Sequence, residues 1–171
     1  MVTAGYRLSA MNEGELLQIL DGVKDPEVPV LSIVELGIVR GVQVSGTGVR
    51  VTITPTYSGC PAMRAIEQDI TTALEAAGFP NVTIETVYAP PWTTDWIGPG
   101  AREKLRAYGI APPAAAAVGH PVALGVTVGA VPCPLCGSAE TRTVSEFGAT
   151  ACKSLHVCNS CLQPFEHFKP F

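Results

Sequence analysis

The sequence predicts an α+β protein: a small mixed sheet packed on helices, in the order helix-strand-strand-helix-strand, followed by a compact cysteine-stapled module. Three observations predict this. Apolar residues recur at helical spacing in two early segments and alternate in the strands between them. A proline- and alanine-rich stretch then interrupts the pattern. Finally, four cysteines stand in two pairs near the C-terminus, Cys133-Pro-Leu-Cys136 and Cys158-Asn-Ser-Cys161, twenty-one residues apart.

The elements follow in order. Asn12 and Glu15 have the spacing of a capping box, and Leu16, Leu17, Ile19, Leu20 and Val23 continue as a helix. Asp25-Pro26-Glu27-Val28-Pro29 ends it, because a proline disfavours helical geometry in the residue before it. Strands are expected over 38–44 and 49–54, with Val49, Val51 and Ile53 alternating against Arg50 and Thr52. Ser45-Gly46-Thr47-Gly48 joins them as a hairpin turn. Pro61 opens a second helix, whose buried stripe is Ile66, Ile70, Ala73, Leu74 and Ala77 and whose stop is Gly78. A third strand is expected over 82–88 and a last helix over 99–108, carrying Arg102, Lys104 and Arg106. Domain boundaries follow: 1–110 for the α+β domain with its helical extension, 111–130 for a linker, and 131–171 for the cysteine module.

The cysteine module is too small to hold itself together by apolar burial alone. Two CxxC knuckles deliver four thiolates, the donor set of a structural zinc. This predicts a zinc ribbon with Cys133, Cys136, Cys158 and Cys161 as ligands. Two disulfides, or iron in a rubredoxin-like centre or cluster, are the competing readings of the same spacing. Cys152, between the knuckles, reads as a packing residue or as a spare ligand or redox thiol. His156 reads as a neighbour of the ligands.

Composition narrows the function classes. An apolar fraction of 47% supports a core, and 32 Gly plus Pro residues predict many turns. Neither an apolar leader nor an 18-residue apolar run occurs, so the expectation is no membrane span and a reducing cytoplasm, where CxxC pairs bind metal. A net charge of −4 opposes phosphate binding. Residues 131–171 balance 3 basic against 3 acidic residues, so the ribbon lacks a basic face and nucleic acid is not an expected partner.

A second site is expected at Thr54-Pro55-Thr56-Tyr57-Ser58-Gly59-Cys60-Pro61, which ends a strand and starts a helix. The helix dipole there is expected to lower the thiol pKa of Cys60 and make it a soft-metal ligand or nucleophile. Its plainer reading is a small residue at a tight turn. All three histidines lie outside the first domain, which leaves Cys60 without a nearby base for hydrolase chemistry. Thr54 and Ser58 are candidates for hydrogen bonding to a ligand at the helix start. Glu35 reads as a turn cap or a site residue. Trp92 and Trp96 read as core staples or as partner anchors, and Phe165, Phe168 and Phe171 as packing around the metal module.

Residues 25–39 (Asp25-Pro-Glu27-Val-Pro-Val-Leu-Ser-Ile-Val-Glu35-Leu-Gly-Ile-Val39), the strand pair and Ser58-Gly59-Cys60-Pro61 resemble the SufT-type domain linked to iron–sulfur protein assembly, over roughly 12–90. The whole chain resembles the PaaD family, which accompanies the phenylacetyl-CoA epoxidase. That likeness rests on Trp92-Thr-Thr-Asp-Trp-Ile97, Leu105-Arg-Ala-Tyr-Gly-Ile-Ala-Pro-Pro113, the two knuckles, Phe147-Gly-Ala-Thr-Ala-Cys-Lys153, and Pro164-Phe165 with Phe168-Lys169. The resemblance implies an accessory protein of a multicomponent monooxygenase, helping to mature its di-iron oxygenase or iron–sulfur reductase and not itself catalytic. It implies Cys60 as the functional thiol, with Asp25 and Glu27 on the loop facing it, and a transient iron or iron–sulfur cargo. One cysteine cannot hold a cluster alone, which makes a homodimer sharing one an expectation. The implied partners are the epoxidase subunits or the reductase. The competing functional readings are a structural docking subunit of that complex and a zinc-ribbon nucleic-acid module.

Overall fold

A computed structural model describes residues 11–114 and 130–171. The chain divides into two compact units, Met1–Trp92 and Thr93–Phe171.

In the first unit, α1 (Glu13–Asp21) starts at the expected capping box. Asn12 Oδ1 accepts from the Glu15 amide at 3.0 Å, and Glu15 Oε2 accepts from the Asn12 amide at 2.8 Å. These contacts occupy two donors that a helix start leaves unpaired. Leu16 and Leu20 are fully buried, one turn apart. Strands β1 (Val39–Ser45) and β2 (Gly48–Ile53) pair antiparallel, with Ser45 opposite Gly48 across the turn at Gly46. A bulge interrupts β1 between Val39 and Gly41.

Helix α2 (Met63–Ala76) then crosses to β3 (Asn81–Thr86), which pairs parallel to β2. Sheet order is β1-β2-β3. Ile66, Ile70 and Leu74 are the buried stripe of α2, while Ala73 and Ala77 are half-buried. The helix starts two residues later than Pro61, with Ala62 as an N-cap that makes no side-chain hydrogen bond. Its end matches the expectation: Gly78, at φ 101°, donates to the Glu75 carbonyl, and Phe79 donates to that of Leu74. This is a Schellman stop, with the fully buried Phe79 and Leu74 as its apolar pair.

Glu35 caps a turn: its Oε2 accepts from the Ser32 amide at 3.0 Å, and Ser32 Oγ accepts from the Glu35 amide at the same distance. Trp92 is a core residue, its Nε1 donating to the Leu36 carbonyl at 2.9 Å.

The second unit opens with a 3-10 turn, Thr94–Trp96, and α3 (Pro99–Ala107). It continues through β4 (Ile110–Ala111), β5 (Thr141–Ser145), β6 (Lys153–Cys158) and β7 (Pro164–Phe168). Sheet order is β4-β7-β6-β5, with β6 antiparallel to both neighbours and β4 parallel to β7.

The sequence-based boundaries place the helical extension with the first domain. The structure groups 93–111 with the ribbon, because Ile110 and Ala111 add a strand to β7 and Ala111 packs with Val131, Cys133, Cys158 and Phe165. Arg102 fastens this segment within the unit, donating to the carbonyls of Ile97 and Thr94 at 3.0 and 2.7 Å and to that of Pro113. Of the expected linker, Ala111 is strand and 112–114 carry no regular structure; 115–129 lie outside the described residues. Among the described residues, no helix is long and apolar enough to cross a membrane.

Candidate functional site

The four knuckle cysteines converge. Their sulfurs all lie within 4.8 Å of one another, with Cys133 to Cys161 at 3.8 Å and Cys136 to Cys158 at 3.6 Å. A tetrahedral zinc with sulfurs at about 2.3 Å has sulfur–sulfur edges of about 3.8 Å. A disulfide needs about 2.0 Å, and all six cysteines are free, so the metal reading fits and the disulfide reading does not.

The backbone builds the cage. Gly137 donates to the Cys133 carbonyl at 2.9 Å, Leu162 donates to that of Cys158 at 3.0 Å, and the Cys161 amide reaches Cys158 Sγ at 3.5 Å. The amides of Cys161 and Ser160 hold the Cys158 thiol down at about 6. At Cys136 the Ser138 amide pulls downward, but desolvation and the three neighbouring thiols prevail and push it up to about 12. Four thiols this close do not all ionise without a cation; a bound metal removes that repulsion.

Cys152 stands apart from this cluster. It is buried, with Thr150 Oγ1 at 3.0 Å from its sulfur, as a packing residue would be. His156 is not a ligand. Its Nε2 meets Ser154 Oγ at 2.9 Å, and its ring stacks on Phe165 at 5.5 Å.

Cys60 lies on the loop that leads from the carboxyl end of β2 to the start of α2, in the crossover that brings β3 parallel to β2. The turn is made by the Cys60 amide donating to the Tyr57 carbonyl at 3.3 Å, with Gly59 at φ 91°, a conformation that glycine adopts without strain. The thiol is half-buried.

Its ionisation corrects the sequence expectation. Burial is the main influence and raises the thiol pKa; the Glu27 and Asp25 carboxylates raise it further. The Ala62 amide and the Tyr57 side chain hydrogen-bond to it and lower it, but they do not prevail. A single helix-terminal amide is too little to offset desolvation beside two negative charges. Cys60, Glu27 and Asp25 therefore share one electrostatic neighbourhood.

Asp25 is buried and also structural: its Oδ1 accepts from the amides of Glu27 and Val28, both at 2.8 Å. Ser58 is exposed. Thr54 is buried, and its Oγ1 is the one buried side-chain oxygen or nitrogen among the described residues without a hydrogen-bond partner. Among the described residues, the four knuckle cysteines are the group of three or more candidate ligands close enough to hold one ion; Cys60, Asp25 and Glu27 are not gathered that way. Sequence reasoning missed Tyr57, since nothing in the spacing marks a tyrosine three residues before a cysteine as its hydrogen-bond partner.

Comparison with known proteins matches this two-part layout. The chain is 46% identical over 155 residues to an Escherichia coli (strain K12) protein provisionally named as one of the subunits of 1,2-phenylacetyl-CoA epoxidase, covering 91% of each. The chain belongs to the PaaD family. Residues 118–169 match the PaaD zinc beta ribbon domain, and 13–86 match the iron-sulfur cluster assembly protein family. The second match recurs in an Fe-S protein maturation auxiliary factor of Porphyromonas gingivalis, 34% identical over 54% of this chain and 90% of that protein. It recurs too in the structure of a DUF59 domain from Bacillus anthracis, with a TM-score of 0.51, 29% identity, and coverage of 54% of this chain and 90% of that one. PaaD family membership thus joins a SufT-type domain and a four-thiolate ribbon on one chain.

Proposed function

We propose that the protein is an accessory subunit of a phenylacetyl-CoA epoxidase, acting in the cytoplasm and assisting iron or iron–sulfur assembly of the oxygenase or its reductase through Cys60. The observation that carries this reading is the shared neighbourhood of Cys60, Glu27 and Asp25 within the domain that resembles Fe-S maturation factors. Burial, with the two carboxylates adding to it, makes a bare thiolate unfavourable, which suits a nucleophile poorly. The two carboxylates favour an arriving cation, which is attracted to both and displaces the thiol proton. When the cation leaves, the thiol takes back its proton, so handing on the cargo restores the neutral resting form.

One thiol with two carboxylates that are not gathered as a ligand group leaves the cargo's coordination incomplete. The remaining ligands come from the client protein or from Cys60 of a second copy. The ribbon metal is zinc on this reading, bound by Cys133, Cys136, Cys158 and Cys161 as a structural ion. The incomplete ligand set favours one second reading, a docking subunit that transfers no metal.

Ring oxidation of phenylacetyl-CoA in cells carrying Cys60→Ala separates the two. Loss of oxidation with a folded, zinc-loaded variant supports the maturation role. Wild-type oxidation in that variant overturns it and leaves the docking subunit.

A further inference from the structure

Strand β2 buries Val49, Val51 and Ile53, and Thr54 directly follows with 1% of its surface exposed. Its Oγ1 has no hydrogen-bond partner among the described residues. A buried hydroxyl without a partner lowers stability, and valine would fill the same space without that cost. The packing of the fold therefore gives no reason for a hydroxyl at this position.

Thr54 stands at a junction. It heads the loop that carries Cys60, and its amide donates to the Ile38 carbonyl at 2.8 Å. The Ile38 amide donates to the Ile33 carbonyl, and the Ile33 amide to that of Val23, both at 3.0 Å. These bonds tie the start of the Cys60 loop to the segment that leads into Asp25 and Glu27, whose charges act on the Cys60 thiol.

Among the described residues, Cys60, Asp25 and Glu27 are not gathered closely enough to enclose a bare ion. A hydrated ion reaches further. Its waters stand about 2.1 Å from the metal and hydrogen-bond to groups about 2.8 Å beyond them. Such waters donate to carboxylates and to a hydroxyl oxygen, so oxygen groups spread around one thiol suit an ion that keeps part of its water. An iron–sulfur cluster is held by several thiolates, and this loop supplies one.

We propose that the cargo of Cys60 is a single hydrated divalent iron ion and not an assembled cluster, and that Thr54 is a binding residue whose Oγ1 accepts a hydrogen bond from one of the ion's waters. The proposal rests on the maturation reading of Cys60 above and narrows it to one class of cargo. Because Thr54 Oγ1 has no partner, no hydrogen bond opposes the χ1 step that turns it to an arriving ion. Binding forms one iron–sulfur bond, releases one water from the ion and passes the thiol proton to solvent; no electron moves. Water fills the rest of the shell until a client replaces it.

The test is anaerobic equilibrium dialysis of ferrous ion against the full-length chain with its knuckles already filled by zinc, for the wild type, Thr54→Val, Thr54→Ser and Cys60→Ser. Thr54→Val is expected to weaken ferrous binding at least about fivefold, and Thr54→Ser to stay within about twofold of wild type. Urea unfolding of the iron-free proteins is the second readout. Thr54→Val is expected to be at least as stable as wild type, since it removes an unpartnered hydroxyl. A purely structural Thr54 gives the reverse: a less stable Thr54→Val that binds ferrous ion as wild type does. Ferrous binding unchanged in Thr54→Val but lost in Cys60→Ser overturns the Thr54 role and leaves the Cys60 reading standing. A wild type that takes up no ferrous ion but accepts a preformed cluster overturns the single-ion cargo and also leaves that reading standing. Uptake of neither overturns the proposal, and ferrous binding unchanged in Cys60→Ser overturns the Cys60 reading as well.

Discussion

Gly137 and Leu162 occupy equivalent positions. Each directly follows the second cysteine of its knuckle, and each has a positive φ, 76° and 63° respectively. Each also donates its amide to the carbonyl of the knuckle's first cysteine. The left-handed conformation suits glycine and strains leucine by about 1–2 kcal/mol. Leu162 is 74% exposed and so recovers little by packing. Leu162→Gly is therefore expected to stabilise the ribbon by about 1 kcal/mol, and Gly137→Ala to destabilise it by a similar amount. Denaturant unfolding of the zinc-loaded protein checks both.

Lys153 and Glu166 form a largely buried ion pair, with the Lys153 side chain 6% exposed. Removing one partner takes away an opposite charge that offsets the burial of the other. Glu166→Ala is expected to cost about 3 kcal/mol, and the double change Lys153→Met with Glu166→Leu to cost less than the single one. A double-mutant cycle by urea unfolding measures this.

His167 is held neutral by burial and by its neighbour His156, with its pKa lowered to about 4. Below its ordinary value near 6.5 the unfolded chain takes up a proton that the fold refuses. Stability therefore falls as pH drops from about 6.5 towards 4, by about 1–3 kcal/mol after allowing for solvent screening. His167→Asn is expected to flatten that part of the pH–stability curve. An unchanged slope in the variant contradicts the assignment.

Cys60 carries a raised thiol pKa, so its alkylation by iodoacetamide at neutral pH is expected to be slower than that of a free thiol. Glu27→Gln removes the larger of the two carboxylate contributions and is expected to speed alkylation several-fold at pH 7.5, with the pH–rate curve shifted to lower pH. Mass-resolved labelling distinguishes Cys60 from the knuckle thiols.

The capping box at Asn12 and Glu15, the hairpin at Gly46, the apolar stripe of α2 and its stop at Gly78 were legible because each depends on residues within a few positions of one another. The metal cage was legible because knuckle spacing constrains geometry almost by itself. The grouping of 93–111 with the ribbon was not. It depends on Ala111 packing beside Cys133, Cys158 and Phe165, far away in sequence. The Cys60 pKa was misread for a related reason: a helix start is visible in sequence, whereas burial and the approach of Glu27 and Asp25 are tertiary facts. Tyr57 and the Lys153–Glu166 pair were likewise invisible, since each acts through a side-chain contact that no local pattern announces.

The most direct test of Cys60 as the cargo thiol is a metal inventory of protein purified without oxygen, comparing wild type with Cys60→Ser. The predicted result is about one zinc per chain in both and iron in the wild type alone. Iron equally in both contradicts the assignment.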